Sequence, residues 1–298
     1  MMYVCRSAYA PVRAVGVLFV AVLAMASPAQ AQDGSNVGVA MTLDSDGSTA
    51  AQSAITQAAL PPTDFEMRPS VTSSTLGQST QRLPLRVFCF DVFTGAIVNN
   101  CNIVISHQAR ALSGGHNHQG GTRPKGSFQP TTGNTGTSGL PTTYTAGEVS
   151  GIIDTTLTGT APGGQPLLPG LFTIGVQIPG LVGLPAGTNY EFTGILAAHP
   201  DSHYGTPNMN GALVLLADAY ALAYPTARLP INDMSLTAGG LFDYQATWAK
   251  PHASHRFGND ADLDLVPVAH RRRLRQLVNG VGLRIVPEGV VTHWHVRQ

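Results

Sequence analysis

The chain has 298 residues, of which 43% are hydrophobic and 11% charged, where ordinary soluble domains carry roughly 25% charged residues. Its 17 basic residues balance 17 acidic ones, which excludes the basic surface of a nucleic-acid binder and the high net charge of a disordered chain. With 33 glycines and 21 prolines, the composition describes a loop-rich, weakly charged globular protein of about two domains.

Residues 1–31 form the first predicted element. Arg6 and Arg13 accompany an apolar run over residues 14–25, Ser27 and Pro28 interrupt it, and Ala29-Gln30-Ala31 supplies a small-x-small cleavage pattern. This predicts a secretory signal peptide cut after Ala31. The competing reading, a membrane anchor, needs about 20 apolar residues, more than the run provides. The expected product is an exported protein, periplasmic or extracellular, with no membrane span. Cleavage removes Cys5 and leaves Cys89 and Cys101, an even pair in an oxidising compartment, which suggests one disulfide. Two free buried thiols are the alternative.

Residues 32–82 are dominated by Ser, Thr, Ala, Gly and Gln without lasting periodicity, and read as a disordered spacer. From Leu83 the texture changes. Short β-branched and aromatic runs at residues 85–92, 96–98 and 101–105 are broken by Gly and Asn turns, which are strand signals. A long Gly/Ser/Thr loop over residues 112–141 follows, then strand candidates at residues 144–153, 171–178 and 190–196. This spacing predicts a β-sandwich of immunoglobulin type over residues 83–205. The stretch from Asp91 through Thr94, Gly95 and Val98, with that from Tyr144 to Gly151, also resembles the immunoglobulin-like modules of bacterial surface proteins. Such a resemblance implies an architecture and no activity.

Residues 206–298 read as a small α+β domain with an antiparallel sheet. Leu213, Leu216, Ala217, Tyr220, Ala221 and Tyr224 fall at helical spacing, and Pro225 ends that helix. Leu274, Leu277, Val278 and Val281 mark a second helix. The most informative residues here are His252, His255, Gly258 and Asp262, followed by His293 and His295. Strand alternation places His293 and His295 on one face, with Trp294 and Val296 on the other. Asp262 projects from a neighbouring alternating run, and Gly258 permits the turn that returns His255 to it. Two histidines and one carboxylate converging in this way suit a zinc ion whose fourth position holds water. The metal brings the pKa of that water toward ~7.

The pattern His-x-x-Gly-x-x-x-Asp followed by His-x-His resembles the metallopeptidases grouped with lysostaphin, the D-alanyl-D-alanine peptidases and the hedgehog signalling domain. The added upstream histidine of His252-x-x-His255 is similar to the penicillin-insensitive murein endopeptidases in particular. The resemblance implies one catalytic zinc ion on His255, Asp262 and His295. It implies that His293 stabilises the oxyanion or protonates the leaving group, and that His252 is an auxiliary active-site group. Glu288 stands where several members carry a general-base carboxylate, although five residues separate it from His293. The stretch holding Asn232, Asp233 and Ser235 is expected to form the other cleft wall and, with Arg256, to bind substrate.

Asp260 and Asp264 read as structural or solvated. The run His270-Arg271-Arg272-Arg273 with Arg275 is either an anionic-ligand patch or the solvated face of a helix. His116, His118, His199 and His203 form a second set, for which no metal is assigned. The expected function is hydrolysis of amide bonds in peptide or peptidoglycan cross-links by a secreted zinc metallopeptidase. The alternative is a non-enzymatic exported binding protein whose hedgehog-like zinc site is structural.

Overall fold

The structure, a computed structural model, describes residues 36–44, 63–72, 78–119, 121–249, 254–287 and 292–298. The export segment, Cys5, His252 and Glu288 lie outside the described residues. In chain order the elements are β1 (Val37–Leu43), β2 (Phe65–Met67), β3 (Arg82–Asp91), β4 (Ile97–Val98), β5 (Asn102–Ala109), β6 (Ser127–Gln129), β7 (Thr132–Asn134), β8 (Leu140–Thr145), β9 (Gly151–Thr160) and β10 (Gly170–Val176). Next come β11 (Val182–Gly183), β12 (Tyr190–Phe192), β13 (Tyr204–Gly205), α1 (Pro207–Ala223), β14 (Leu229–Ile231), β15 (Asp260–Asp264), α2 (Val268–Gly280), β16 (Arg284–Val286) and β17 (His293–Arg297).

Two sheets form the first half. One runs β1-β3-β8-β6 with β4 beside β3, and the other runs β2-β10-β9-β5-β7. Period-2 alternation sends Leu83, Leu85, Val87 and Cys89 of β3 inward. They meet Ile103 and Ile105 of β5, Leu157 of β9 and Ile174 of β10 in one core. Each such aliphatic side chain contributes roughly 1.5–3 kcal/mol by leaving water.

Residues 37–43 and 65–67 correct the reading of residues 32–82 as a spacer. The first stretch pairs antiparallel with β3, Val39 opposite Cys89, and buries Val39 and Met41. The second pairs parallel with β10. Neither carries a long signal of its own, because partners distant in sequence supply both its hydrogen bonds and its apolar face. The thiols of Cys89 and Cys101 do come together, but both cysteines are free. Burial, followed by a hydrogen bond to Cys101, pushes the Cys89 thiol well above its ordinary pKa. The two thiols stand enclosed, adjacent and unbonded, and a bridge between them stays an expectation.

The third sheet runs β12-β14-β15-β17-β16 and packs with both helices over a second core. Helix α1 starts six residues before the periodic pattern does. Thr206 caps it, accepting a hydrogen bond from Met209 N at 3.2 Å, and Pro207 occupies the first turn. Helix α2 buries Leu274 and Val278, while Arg272, Arg273 and Arg275 face solvent. No helix among the described residues is long and apolar enough to cross a membrane.

A boundary at residue 205 is not where the structure divides. Strand β12, assigned to the first module by sequence, pairs parallel with β14 in the third sheet. Residues 35–298 form one compact unit. A buried ion pair between Arg256 and Glu148, 3.1 Å apart, and the bridge between Val149 and Gly240 tie its halves together.

Candidate metal centre

Strands β15 and β17 set the geometry. Their antiparallel register places Asp260 opposite Arg297, Asp262 opposite His295 and Asp264 opposite His293. Ala261, Leu263, Trp294 and Val296 alternate into the core. The other face is therefore a ladder of three carboxylates opposed by three basic side chains. His255 reaches this ladder from the preceding loop, with φ of +63° followed by +71° at Gly258. A side chain at Gly258 would run into Leu181 and the Gly205 backbone. Its carbonyl accepts the Thr206 N–H at 2.7 Å, which anchors the loop to the start of α1.

The donor atoms of His255, Asp262 and His295 lie within 4.8 Å of one another, and all three residues are buried. His255 Nε2 stands 3.2 Å from Asp262 Oδ2, and His295 Nδ1 stands 2.8 Å from Asp262 Oδ1. Tetrahedral zinc ligands held at about 2.0–2.1 Å from the ion stand ~3.3 Å from each other, so the set has the right scale for that ion. His295 Nε2, on the far side of the ring, lies 3.3 Å from Asp260 Oδ1. Asp260 can thus accept the Nε2–H and leave Nδ1 as the donor to a metal, the usual arrangement around ligating imidazoles. Arg297 Nε also donates to Asp260.

The electrostatics follow from this geometry. Burial works to raise the Asp262 carboxyl, but His255, His295 and His293 outweigh it and hold it below the ordinary carboxylate range. Burial likewise opposes charge on His295, and the hydrogen bonds to Asp260 and Asp262 raise it to about 9. Asp233 moves the other way. Burial foremost, against the pull of His255 and with the repulsion of Asp262, lifts it to about 6. Its Oδ1 is buried without a hydrogen-bond partner, and its carbonyl accepts the Asp262 N–H at 2.8 Å.

Of the other expected site residues, His293 joins the cluster. Its Nε2 is 3.2 Å from Asp262 Oδ2, its Nδ1 lies 3.0 Å from the Thr292 hydroxyl, and its side chain keeps 20% exposure. Asn232 donates to Asp264 at 2.7 Å, which braces the ladder. Arg256 and Ser235 are enclosed, and the Arg256 guanidinium is engaged by Glu148, so neither offers a surface to substrate. Asp260, read as structural, belongs beside His295. Its position two residues from Asp262 on an alternating strand was the signal for that.

The second histidine set divides. His203 turns its Nε2 to the Ile231 carbonyl at 3.2 Å. His116, His118 and His199 meet one another and Asp243. No protein-family model matches the chain, and no curated protein or solved structure matches it either.

Proposed function

We propose that the His255–Asp262–His295 cluster holds a zinc ion and that the protein is an exported amide hydrolase. Peptide cross-links of peptidoglycan are its substrate class. The observation that carries the reading is the ladder itself, with three buried donors at ligand spacing and His293 and Asp233 beside them. The peptidoglycan substrate and the export rest on the sequence patterns above. When bound, zinc supplies a water of pKa near ~7 and polarises the amide carbonyl.

The chain's own groups supply the rest. Asp260 holds the His295 ring by its Nε2–H, and Asp262 is kept ionised by the histidines around it. Asp233 Oδ1, buried and without a hydrogen-bond partner beside the ladder, would take up the proton released as water adds to the carbonyl carbon. His293 is braced by Thr292, and its Nε2 faces the cluster with one side toward solvent. It is placed to steady the oxyanion or to protonate the leaving nitrogen. One C–O bond forms, the C–N bond breaks, and the amine leaves with a proton.

Enclosure of all three ligand side chains, none more than 3% exposed, favours a second reading in which the metal is structural. The full chain incubated with purified cell-wall sacculi, with chelator and after zinc is restored, separates the two. Zinc-dependent release of new amino groups, lost in His255→Ala, supports the hydrolase. Zinc bound at this site with no amine released would overturn it and leave the structural reading.

A further inference from the structure

We propose that His116, His118, His199 and Asp243 form a second divalent-metal site, four-coordinate and fitted to zinc. It pins the loop between β5 and β6 to the loops before β13 and after β14. The argument starts from one oxygen. His116 Nδ1, His118 Nε2 and His199 Nε2 stand 3.1, 3.3 and 3.1 Å from Asp243 Oδ1. A carboxylate oxygen has only about two lone pairs; His118 and His199 take them with hydrogen-bond geometry, and His116 stands at the same distance with no lone pair left for it. The same distances match the ~3.3 Å edges of a tetrahedron around zinc.

His116 adds an independent observation. It is 1% exposed, and neither of its ring nitrogens has a partner with hydrogen-bond geometry. Leaving such a ring enclosed and unsatisfied costs about 1–3 kcal/mol, which a bond to an ion removes.

The surroundings hold the donors in place. His116 and His118 both reach Asp243 Oδ1, with Asn117 between them. Asn117 donates from its backbone N to the Ala198 carbonyl at 2.7 Å and from Nδ2 to the Ala197 carbonyl at 3.1 Å. Those bonds deliver His199 to the other two rings. Trp248 N donates to Asp243 Oδ2 at 2.6 Å, which leaves Oδ1 free to face the histidines. Trp248 then covers His118, with ring centroids 4.2 Å apart, and Phe242 packs edge-on to His199 at 5.1 Å. Orienting bonds and an apolar shell of this kind are what tune a metal site. Four protein donors leave no position for substrate, so the site is structural.

Zinc titration of the full chain, with metal content measured after gel filtration, tests this directly. The expected wild-type content is two zinc ions per chain. His118→Ala, at the least buried ligand, and Asp243→Asn should each lose one while His255→Ala loses the other. Cobalt substitution adds a readout that does not depend on the variants, since a closed N3O site gives the intense visible bands of tetrahedral coordination, and these should persist in His255→Ala. A wild-type content of one zinc that His255→Ala abolishes would overturn the proposal. So would two ions retained in a folded His118→Ala protein.

Discussion

In the His255–Asp262–His295 cluster two of three donors ride on paired strands, where register alone sets Asp262 against His295. In the His116–His118–His199–Asp243 cluster every donor stands on a loop, and His118 and Asp243 are 125 residues apart. The first set is held by β15 and β17 whether or not an ion is present. The second is tied across its loops by the bonds of Asn117 to Ala197 and Ala198 and by the rings meeting Asp243, and an ion between the donors would be a stronger link than any of these. On the proposed reading similar donors would serve two ends: two on a rigid ladder with one from a loop would leave a coordination position for chemistry, and four on loops would close around an ion and hold the fold.

The largest effect that would break this contrast is in activity. His255→Ala should lower amide hydrolysis by at least about 10³-fold, because two protein ligands no longer hold a catalytic zinc. Its melting temperature should stay near that of the parent. Hydrolysis of sacculi and thermal unfolding measured on one preparation check both halves, and retained activity would refute the assignment.

The pH dependence of the chelated protein comes next. His295 is raised to about 9 from an ordinary 6.5, so the stability it contributes is complete below pH 6.5 and disappears as pH rises through about 9. On the order of 3 kcal/mol should be lost across that window. Asp262 acts oppositely. Its pKa is depressed, so its contribution is present above about pH 4 and is lost on acidification. Urea midpoints at pH 6, 8 and 10 with chelator present should therefore fall on the alkaline side, and His295→Gln should flatten the fall.

Asp243→Asn sharpens the contrast from the other cluster. It should cost about 2 kcal/mol in zinc-loaded protein while hydrolysis persists, and the cost should shrink once chelator removes the ion from both proteins. A difference unchanged by chelator would assign the effect to the hydrogen bonds of Asp243 alone. The smallest expected change is in Asp260→Asn, which removes the carboxylate behind His295. Zinc affinity of the ladder site should fall about 10-fold, read by competition with a chromophoric chelator, with the loop site unaffected.

The ladder was legible because strand alternation is local. Asp262, His293 and His295 declare their faces through the apolar residues between them, and Asp260 follows by the same rule. Glycine at 258 announces the turn that carries His255. The loop cluster had no such period. His116 and His118 were visible as a pair, but nothing near Asp243 in the sequence links it to them, and His203 looked as good a member as His199. Strands β1 and β2 escaped for a related reason, since their alternation has meaning only against β3 and β10.

Composition and period therefore determined that strands form from β3 onward and that helices cover residues 213–220 and 274–278, which face of β15 and β17 is polar, and that Asp262 and His295 are candidates for one ion. Tertiary structure decided what no local pattern carries. It buried Asp233 beside the ladder, committed Arg256 to Glu148, left Cys89 and Cys101 as neighbouring thiols, and gathered four donors from three loops. The physical reason is one of range. Propensity and alternation act over a few residues, whereas burial, desolvation and the meeting of distant loops exist only once both cores have formed.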